Sequence, residues 1–167
     1  MRYLMFVLLA VLAIPAAAKE PVAKFKTAEA RHYTRMEGVE LSPEFTDYLY
    51  AELRNELVKT KIYAQVIGEG EAVEEADAPA SIVIDGVITE YKKGSVVKEV
   101  LIGFSSGYRR LKLETTVTRR SDKQSLATLK SQVRIDPRVK ETVMAKIAAK
   151  QIAKEIKKAL EHHEGSA

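Results

Sequence analysis

Ile82-Val-Ile-Asp-Gly-Val-Ile88 and Tyr108-Arg-Arg-Leu-Lys-Leu-Glu-Thr-Thr-Val-Thr118 are the two runs of sequence that decide the fold. The first run has apolar residues in both phases, which is typical of a central strand covered on both faces near its start. Gly86 inside it indicates a bulge or a close backbone approach. The second run alternates polar and apolar residues, which predicts a half-buried antiparallel strand. The middle of the chain is therefore predicted to form a sheet.

A glycine-marked segment, Gly94-Ser-Val-Val-Lys-Glu-Val-Leu-Ile-Gly-Phe-Ser-Ser-Gly107, joins these two runs. Its end fits the G-x-S-x-G pattern of a serine hydrolase, with Ser105 as the nucleophile. The acid and the base would follow in hydrolase chain order, from Asp122 or Asp136 and from His162 or His163. A nucleophile elbow needs a turn from a strand into a helix, whereas the residues after Gly107 alternate as a strand. We therefore interpret the segment as a glycine-hinged connection between strands, and retain the hydrolase only as an alternative.

A first amphipathic helix is predicted before the sheet region. Ser42-Pro43-Glu44 indicates its start, because serine caps free amides, proline suits the first turn and an acid interacts favourably with the helix dipole. The helix runs to about Lys59. Its apolar face is predicted to comprise Phe45, Leu49, Leu53 and Leu57, widened by Tyr48 and Val58.

A second amphipathic helix is predicted after the sheet region, from Arg138 to about His162, with Asp136-Pro137 as its cap and first turn. Lysines line its polar side, which is typical of a solvated face. The apolar stripe is predicted to comprise Val139, Val143, Ile147, Ile152, Ile156 and Leu160, with Ala148, Ala149 and Ala153 allowing close approach.

Three further strands complete the predicted elements. One lies around Val22 to Ala30, one is Ile62 to Ile67, and the return strand of a hairpin runs from Ser125 to Ile135. Leu126 is out of phase with the apolar residues of that return strand, which predicts either a bulge or the start of the strand near Ala127. Strands and helices together indicate the α/β (α+β) class.

Residues 1–18 are typical of a secretory signal peptide, with Arg2, an apolar run from Tyr3 to Ile14, and small residues up to Ala18. The apolar run is shorter than the roughly 20 residues of a membrane-spanning helix. The chain contains no cysteine, so a lipid-anchoring cysteine and disulfides are excluded. We predict cleavage after Ala18 and a single α/β domain over residues 19–167, unanchored and located in the periplasm or secreted.

Little in the sequence indicates a cofactor or a metal. No glycine-rich phosphate loop stands at a strand-to-helix junction. His32 stands alone, His162 and His163 are adjacent, and the acidic residues between Glu69 and Asp77 lack the spacing of a calcium loop. We therefore predict no cofactor and no metal site.

The charge balance limits the classes of partner. The net charge is +4, with an isoelectric point near 9.2. This mild positive excess does not favour a nucleic-acid partner for an exported protein. Attraction to anionic lipid or to a cell-wall polymer stays open. One aromatic and basic cluster is compatible with stacking on a sugar or a base, but packing in the core or at its rim is favoured. It comprises Tyr91, Lys92, Lys93, Phe104, Tyr108, Arg109 and Arg110.

The order of these parts resembles a known family. The parts concerned are the 43–60 helix with Ile62-Tyr-Ala-Gln-Val-Ile67, then Ala80-Ser-Ile-Val-Ile-Asp-Gly-Val-Ile88, then Gly94 to Gly103-Phe-Ser-Ser-Gly107 leading into Leu111-Lys-Leu113. They resemble the exported bacterial proteins of domain of unknown function 4410. The chain differs at Ser105-Ser106, where that family has a second glycine-rich step, and at Lys123-Gln124, where it usually has Thr-Gly.

The layout is also similar to the amino-terminal domain of TolB, to the curli secretion protein and to lipoprotein activators of peptidoglycan synthases. This similarity implies a mixed, mostly antiparallel sheet of about four to five strands, with the two long helices packed on one face. It also implies a non-enzymatic role in the envelope, in which the domain binds partners or assembles.

The leading hypothesis from the sequence is thus a non-catalytic periplasmic or secreted module that binds an envelope protein or a cell-wall component. The main alternative is an assembly component whose 94–107 segment contacts a membrane or a neighbouring subunit, so that peripheral membrane contact or a homo-oligomer is possible. The candidate partner-binding residues are Gly94, Leu101, Ile102, Gly103, Phe104, Gly107, Tyr108, Arg109 and Arg110.

Overall fold

The computed structural model describes residues 25–95 and 107–162. Six strands and two long helices lie in these ranges, together with one short 3-10 helix at Glu75–Ala80, where the sequence predicts a loop or a weak helical turn. The strands are β1 (Phe25–Ala30), β2 (Thr34–Arg35), β3 (Tyr63–Ile67), β4 (Ser81–Lys92), β5 (Arg109–Arg119) and β6 (Ser125–Ile135). The helices are α1 (Pro43–Thr60) and α2 (Glu141–His162).

The strands form one mixed sheet in the order β3-β1-β4-β5-β6, and β2 pairs with β4 beyond the end of β1. β1 lies parallel to β3 and β4, whereas the longer β4, β5 and β6 are antiparallel neighbours. The predicted mixed sheet and α+β class are confirmed. The additional strand is the two-residue β2, which the polar sequence around it does not indicate. Predicted strand residues 22–24 lie outside the described residues.

Both helices pack on the same face of the sheet, α1 against β1 and β3, α2 against β6, and they also contact each other. The other face of β4, β5 and β6 carries mostly polar side chains, and we call it the open face. Neither helix of the described residues is long and apolar enough to cross a bilayer. The predicted packing of both helices on one face is confirmed.

The start of α1 is as predicted, because the Ser42 hydroxyl accepts a hydrogen bond from the Phe45 amide at 3.2 Å and Pro43 occupies the first turn. The predicted widening of its apolar face is wrong, since Tyr48 is 47% exposed and Val58 is 60% exposed. Each lies about 100° around the helix from the adjacent leucine, outside a narrow buried stripe. That stripe comprises Phe45, Leu49, Leu53 and Leu57.

The predicted start and part of the predicted stripe of α2 are wrong. The Asp136 carboxylate accepts from the Arg138 amide at 2.8 Å, so Asp136-Pro137 forms a turn that ends before the helix begins at Glu141. Val143 and Ile147 are exposed. Small side chains on the buried side allow close packing. That side comprises Met144, Ala145, Ala148, Ala149, Ile152, Ala153, Ile156 and Leu160.

Two bulges set which residues of the antiparallel strands face the helices. Val117 pairs with Ala127 and Thr118 with Ser125, so Leu126 is the extra residue, as predicted. A second bulge at Thr89 lies between the pairs Ile88–Leu113 and Glu90–Lys112. The extra residue shifts the alternation of side chains along β4. Residues after Thr89 therefore face the side of the sheet opposite to the one that unbroken alternation would give.

Candidate functional site

The segment from Gly94 to Gly107 is joined to the sheet by a narrow neck, formed by Gly94, Ser95 and Gly107. The Ser95 amide donates to the Gly107 carbonyl oxygen at 2.9 Å, immediately beyond the last pairs of β4 and β5. A Cβ atom on Gly94 would lie 2.7 Å from the Arg109 amide nitrogen and closer still to the Gly107 carbonyl oxygen. Only glycine lets the two chains approach this closely at position 94. Ser95 and Gly107, which flank residues 96–106 in the sequence, are therefore held together at one end of the sheet.

The structure distributes the predicted partner-binding residues over different surroundings. Gly94 and the buried Gly107 form the neck, and Tyr108 follows it, half-buried. Arg110 alternates with the buried Leu111 and therefore lies on the open face. Residues 96–106 of the segment lie outside the described residues, and they include the candidates Leu101, Ile102, Gly103 and Phe104 and the hydrolase candidate Ser105.

Arg109 ties the neck to the chain that leads into α2. Its guanidinium donates to the Val139 carbonyl oxygen at 2.9 Å, while its buried Nε atom has no hydrogen-bond partner. This contact holds the first residue of β5 against the segment before α2. Arg109 thus has a positioning role inside the domain.

A small pocket of about 210 Å³ lies beside the neck. Burial raises the pKa of Tyr91 in its wall above the ordinary value, with Glu141 acting in the same direction. Glu141 also accepts a hydrogen bond from the Ser42 hydroxyl at 2.8 Å, which joins the starts of α1 and α2. The pocket is lined by Gly38, Glu40, Tyr91, Lys93 and Glu141. The pocket is polar, and the described residues that line it include no serine, threonine or cysteine.

The expectation that His32 stands alone is wrong. Its Nδ1 lies 2.9 Å from the Glu69 carboxylate, its backbone amide donates to the same carboxylate at 3.2 Å, and its ring stacks on Tyr50 at 3.8 Å. Asp47 lies 3.9 Å from Nε2. Across the ranges that the structure describes, no three His, Cys, Asp or Glu side chains converge in a way that could hold a metal ion. The cluster joins the ends of β1 and β3.

Glu69→Gln is expected to lower stability near neutral pH and to lose this difference in acid. Hydrogen bonds from His32 hold the pKa of Glu69 below its ordinary value. A carboxylate with a lowered folded-state pKa contributes stability above its unfolded pKa, about 4.3, and loses it as the pH falls through the folded value. Both side chains are about half exposed, so the effect is small.

Urea unfolding of the wild-type protein and the Glu69→Gln variant between neutral pH and pH 3 checks this expectation. The difference in free energy of unfolding between them is expected to close below about pH 4. A difference that grows as the pH falls contradicts the assigned sign.

A buried ion cluster occupies the sheet face opposite the helices, near the start of β4. The Glu29 side chain is almost fully buried and pairs with Arg31 at 2.9 Å and with Arg120. The 3-10 helix lies against β1 and β4 here, and its Asp77 pairs with Lys26 at 2.6 Å. These contacts cover the second face of the early part of β4, as the sequence predicts. The Glu29 carboxylate at the centre of the cluster is enclosed by its two arginine partners.

The surroundings of the G-x-S-x-G match differ from those of a nucleophile elbow. Gly107 is followed by β5 and not by a helix. Asp136, one of the candidate acids, accepts the Arg138 amide in a turn. The turn from strand into helix that exposes a nucleophile is therefore not formed after Gly107.

Solved structures with similar folds are distantly related in sequence. A PelC dodecamer from Paraburkholderia phytofirmans matches with a TM-score of 0.57 and 14% identity, covering 78% of this chain and 87% of that one. The protein XCC0632 from Xanthomonas campestris matches with a TM-score of 0.54 and 11% identity, covering 84% and 85%. TolB from Acinetobacter baumannii is also among the matches, with a TM-score of 0.44 and 11% identity, covering 81% of this chain and 28% of that one.

The likeness to PelC and to XCC0632 shows a shared fold and nothing about activity. No curated protein matches the chain in sequence. The model of the domain of unknown function DUF4410 matches residues 34–134, more than half of the chain. This match spans β2 to β6 and includes the neck. The chain therefore belongs to the DUF4410 family, as its sequence motifs predict.

Proposed function

We propose that this protein is a non-catalytic module of the bacterial envelope, periplasmic or secreted, that binds a protein partner or a cell-wall component through the end of its sheet. The observation that carries the proposal is the neck at Gly94, Ser95 and Gly107. The neck brings Ser95 and Gly107, which flank residues 96–106 in the sequence, together at one end of the antiparallel part of the sheet. Connecting segments held by a rigid scaffold are common sites of recognition.

Two further observations support a binding role. Among the described residues, no serine, threonine or cysteine side chain forms a hydrogen bond with the His32 imidazole. The PelC protein of similar fold was solved as a dodecamer, so this fold is compatible with assembly. The signal peptide predicted in residues 1–18 supports the envelope location.

In-cell photo-crosslinking tests the proposal. A photoreactive phenylalanine analogue at Tyr108, beside the neck, is expected to capture a discrete adduct. The same analogue at Ser121 is the matched control, because Ser121 lies in the exposed β5–β6 turn at the opposite end of the sheet. The Tyr108 adduct is expected to be at least several-fold stronger than the adduct from Ser121.

Equal adduct patterns from the two positions would place recognition elsewhere and overturn the assigned end of the sheet. Labelling of the wild-type protein by a fluorophosphonate, with loss of the label in Ser105→Ala, would overturn the proposal that the protein is non-catalytic. Purified wild-type protein is expected to remain unlabelled.

A second candidate function is contact of the same end of the sheet with a membrane or a neighbouring subunit. The sequence of residues 96–104 favours it, since it contains Val96, Val97, Val100, Leu101, Ile102 and Phe104. Apolar residues concentrated in one short segment are typical of interaction sites. Binding to lipid vesicles, or a mass in solution above that of the monomer, supports this role, and the absence of both contradicts it.

A further inference from the structure

A row of three cations crosses the open face of the sheet next to the neck. Lys92 of β4 is the register partner of Arg110 of β5, and Arg110 is the register partner of Arg134 of β6. The bulge at Thr89 is what brings Lys92 to this face, because it reverses the phase of β4. The three positions span about 10 Å, since neighbouring strands lie about 4.8 Å apart. We call Lys92, Arg110 and Arg134 the cation row.

The domain itself neutralises the cation row only in part. Within the described residues, Arg110 and Arg134 form no ion pair, and the Gln132 amide, with its oxygen turned towards Arg134, accepts from Arg134 Nε at 2.8 Å. Glu90, in the next row, is shared between Lys112 at 2.7 Å and Lys92 at 3.7 Å. Like charges directly opposite each other on neighbouring strands destabilise a sheet. An anionic ligand would remove this repulsion.

The position of the cation row favours a lipid surface as that ligand. Lys92 and Arg110 are the last paired residues of β4 and β5 before Ser95 and Gly107. These two residues flank a stretch of sequence that includes the apolar residues of 96–104. Basic side chains beside an apolar segment are typical of peripheral attachment to anionic membranes. A single-stranded nucleic acid would require aromatic side chains between the cations, and the side chains of this row and the next are not aromatic.

We propose that Lys92, Arg110 and Arg134 form a docking surface for the headgroups of anionic phospholipids. The inference rests on the second candidate function, membrane contact, and adds the residues and the lipid charge that it requires. Attraction to an anionic bilayer acts over roughly 10 Å at 0.1 M salt. Docking therefore strengthens at low salt and requires negatively charged lipid.

Vesicle flotation with the full chain tests the proposal. Wild-type protein is expected to bind vesicles of equimolar phosphatidylcholine and phosphatidylglycerol more tightly than vesicles of phosphatidylcholine alone. The double variant Arg110→Gln/Arg134→Gln is expected to bind the anionic vesicles about 30-fold more weakly, from about 1 kcal/mol for each cation. Residues 3–14 are the same in every variant, so differences between variants report the cation row.

The matched control is Lys150→Gln/Lys154→Gln, which removes the same charge from the exposed side of α2 and is expected to leave binding unchanged. Arg110→Lys/Arg134→Lys is expected to restore most of the binding. The glutamine double variant is expected to melt no lower than wild type, because it relieves the repulsion between two opposed arginines. A lower melting temperature of this variant would therefore contradict the inferred repulsion between Arg110 and Arg134.

The outcomes separate this inference from the function on which it rests. If wild-type protein binds neither kind of vesicle, membrane contact itself fails. If wild type binds but Arg110→Gln/Arg134→Gln binds equally well, or the α2 control loses as much, the cation row is overturned while membrane contact stands. Equal binding of wild type to neutral and anionic vesicles, or a preference for nucleic acid over anionic vesicles, also overturns the proposal.

Discussion

Ile152→Ala is expected to lower the free energy of unfolding by about 3 kcal/mol, the usual loss for removing a fully buried isoleucine side chain. Ile152 is 0% exposed and belongs to the core that α2 forms with α1 and the sheet. Its neighbours include small alanines that pack closely and have few side-chain atoms to move into the space left behind. Denaturant unfolding monitored by circular dichroism measures the loss.

Ile147→Ala is the matched control, because it makes the same chemical change on the same helix. Ile147 is 42% exposed, so its truncation is expected to change the free energy of unfolding by about 0.5 kcal/mol or less. Equal losses at the two positions would mean that the face of α2 assigned to the core is wrong. A loss confined to Ile152 supports the packing described for the two helices.

The same pair shows why the stripe of α2 is difficult to predict from its sequence. Val143 and Ile147 are four residues apart and imitate the spacing of a buried face. Residues 147 and 152, however, lie roughly 140° apart around a helix, so one narrow stripe cannot include both. The actual face is rich in alanine, which gives a weak hydrophobic signal but lets the helices approach. Helix packing, and not hydrophobicity alone, decides which side of α2 is buried.

The antiparallel hairpin is the part of the fold that the sequence predicts best. β6 has the predicted bounds, Ser125–Ile135, and the bulge falls at Leu126. Alternation with a period of two leaves little freedom, because slipping by one residue would turn the whole buried face towards water. The Ser42-Pro43 start of α1 is equally local, since its cap depends only on residues within one turn.

The candidate sites depend on contacts between distant parts of the chain. His32 and Glu69 are 37 residues apart and meet only because β1 and β3 are parallel neighbours. The cation row requires the register of two hairpins and the bulge at Thr89, which moves Lys92 to the side of Arg110. Neither a strand order nor the phase change at a bulge can be read from local periodicity. The sequence therefore indicates the end of the sheet where we propose the site to lie, but not the residues that share a surface there.

Gly86→Ala is expected to lower the free energy of unfolding by about 3 kcal/mol, at the upper end of the losses from overpacking a core. A Cβ atom at this position would lie 2.6 Å from Cζ of Tyr33 and 2.7 Å from the Glu114 carbonyl oxygen. Tyr33 is buried and its hydroxyl forms a hydrogen bond of 2.6 Å with Thr115, so the ring cannot swing aside without leaving two buried hydroxyls unpaired. The carbonyl belongs to the β4–β5 ladder and is fixed by it. Thermal and denaturant unfolding measure the loss.

Gly68→Ala is the matched control, because a Cβ atom there would meet the ends of side chains. It would lie 2.5 Å from the Tyr50 hydroxyl and 2.6 Å from the Glu71 carboxylate, whereas at Gly86 it meets a buried ring and a backbone carbonyl of the sheet. Moving these ends costs the hydrogen bonds that Glu71 accepts from the Gly68 amide at 2.7 Å and that the Tyr50 hydroxyl accepts from the Glu69 amide at 3.2 Å. Both are at the surface, where water can replace them, so we expect a loss of about 1 kcal/mol, smaller than at Gly86. Combining Gly86→Ala with Tyr33→Ala is expected to give less than the sum of the two single losses, since the clash with the ring disappears. Strict additivity would mean that the glycine is required for the backbone contact alone. A Gly86→Ala variant as stable as wild type would show that β4 can shift away from β5, and the central strand would then be less rigid than its ladder implies.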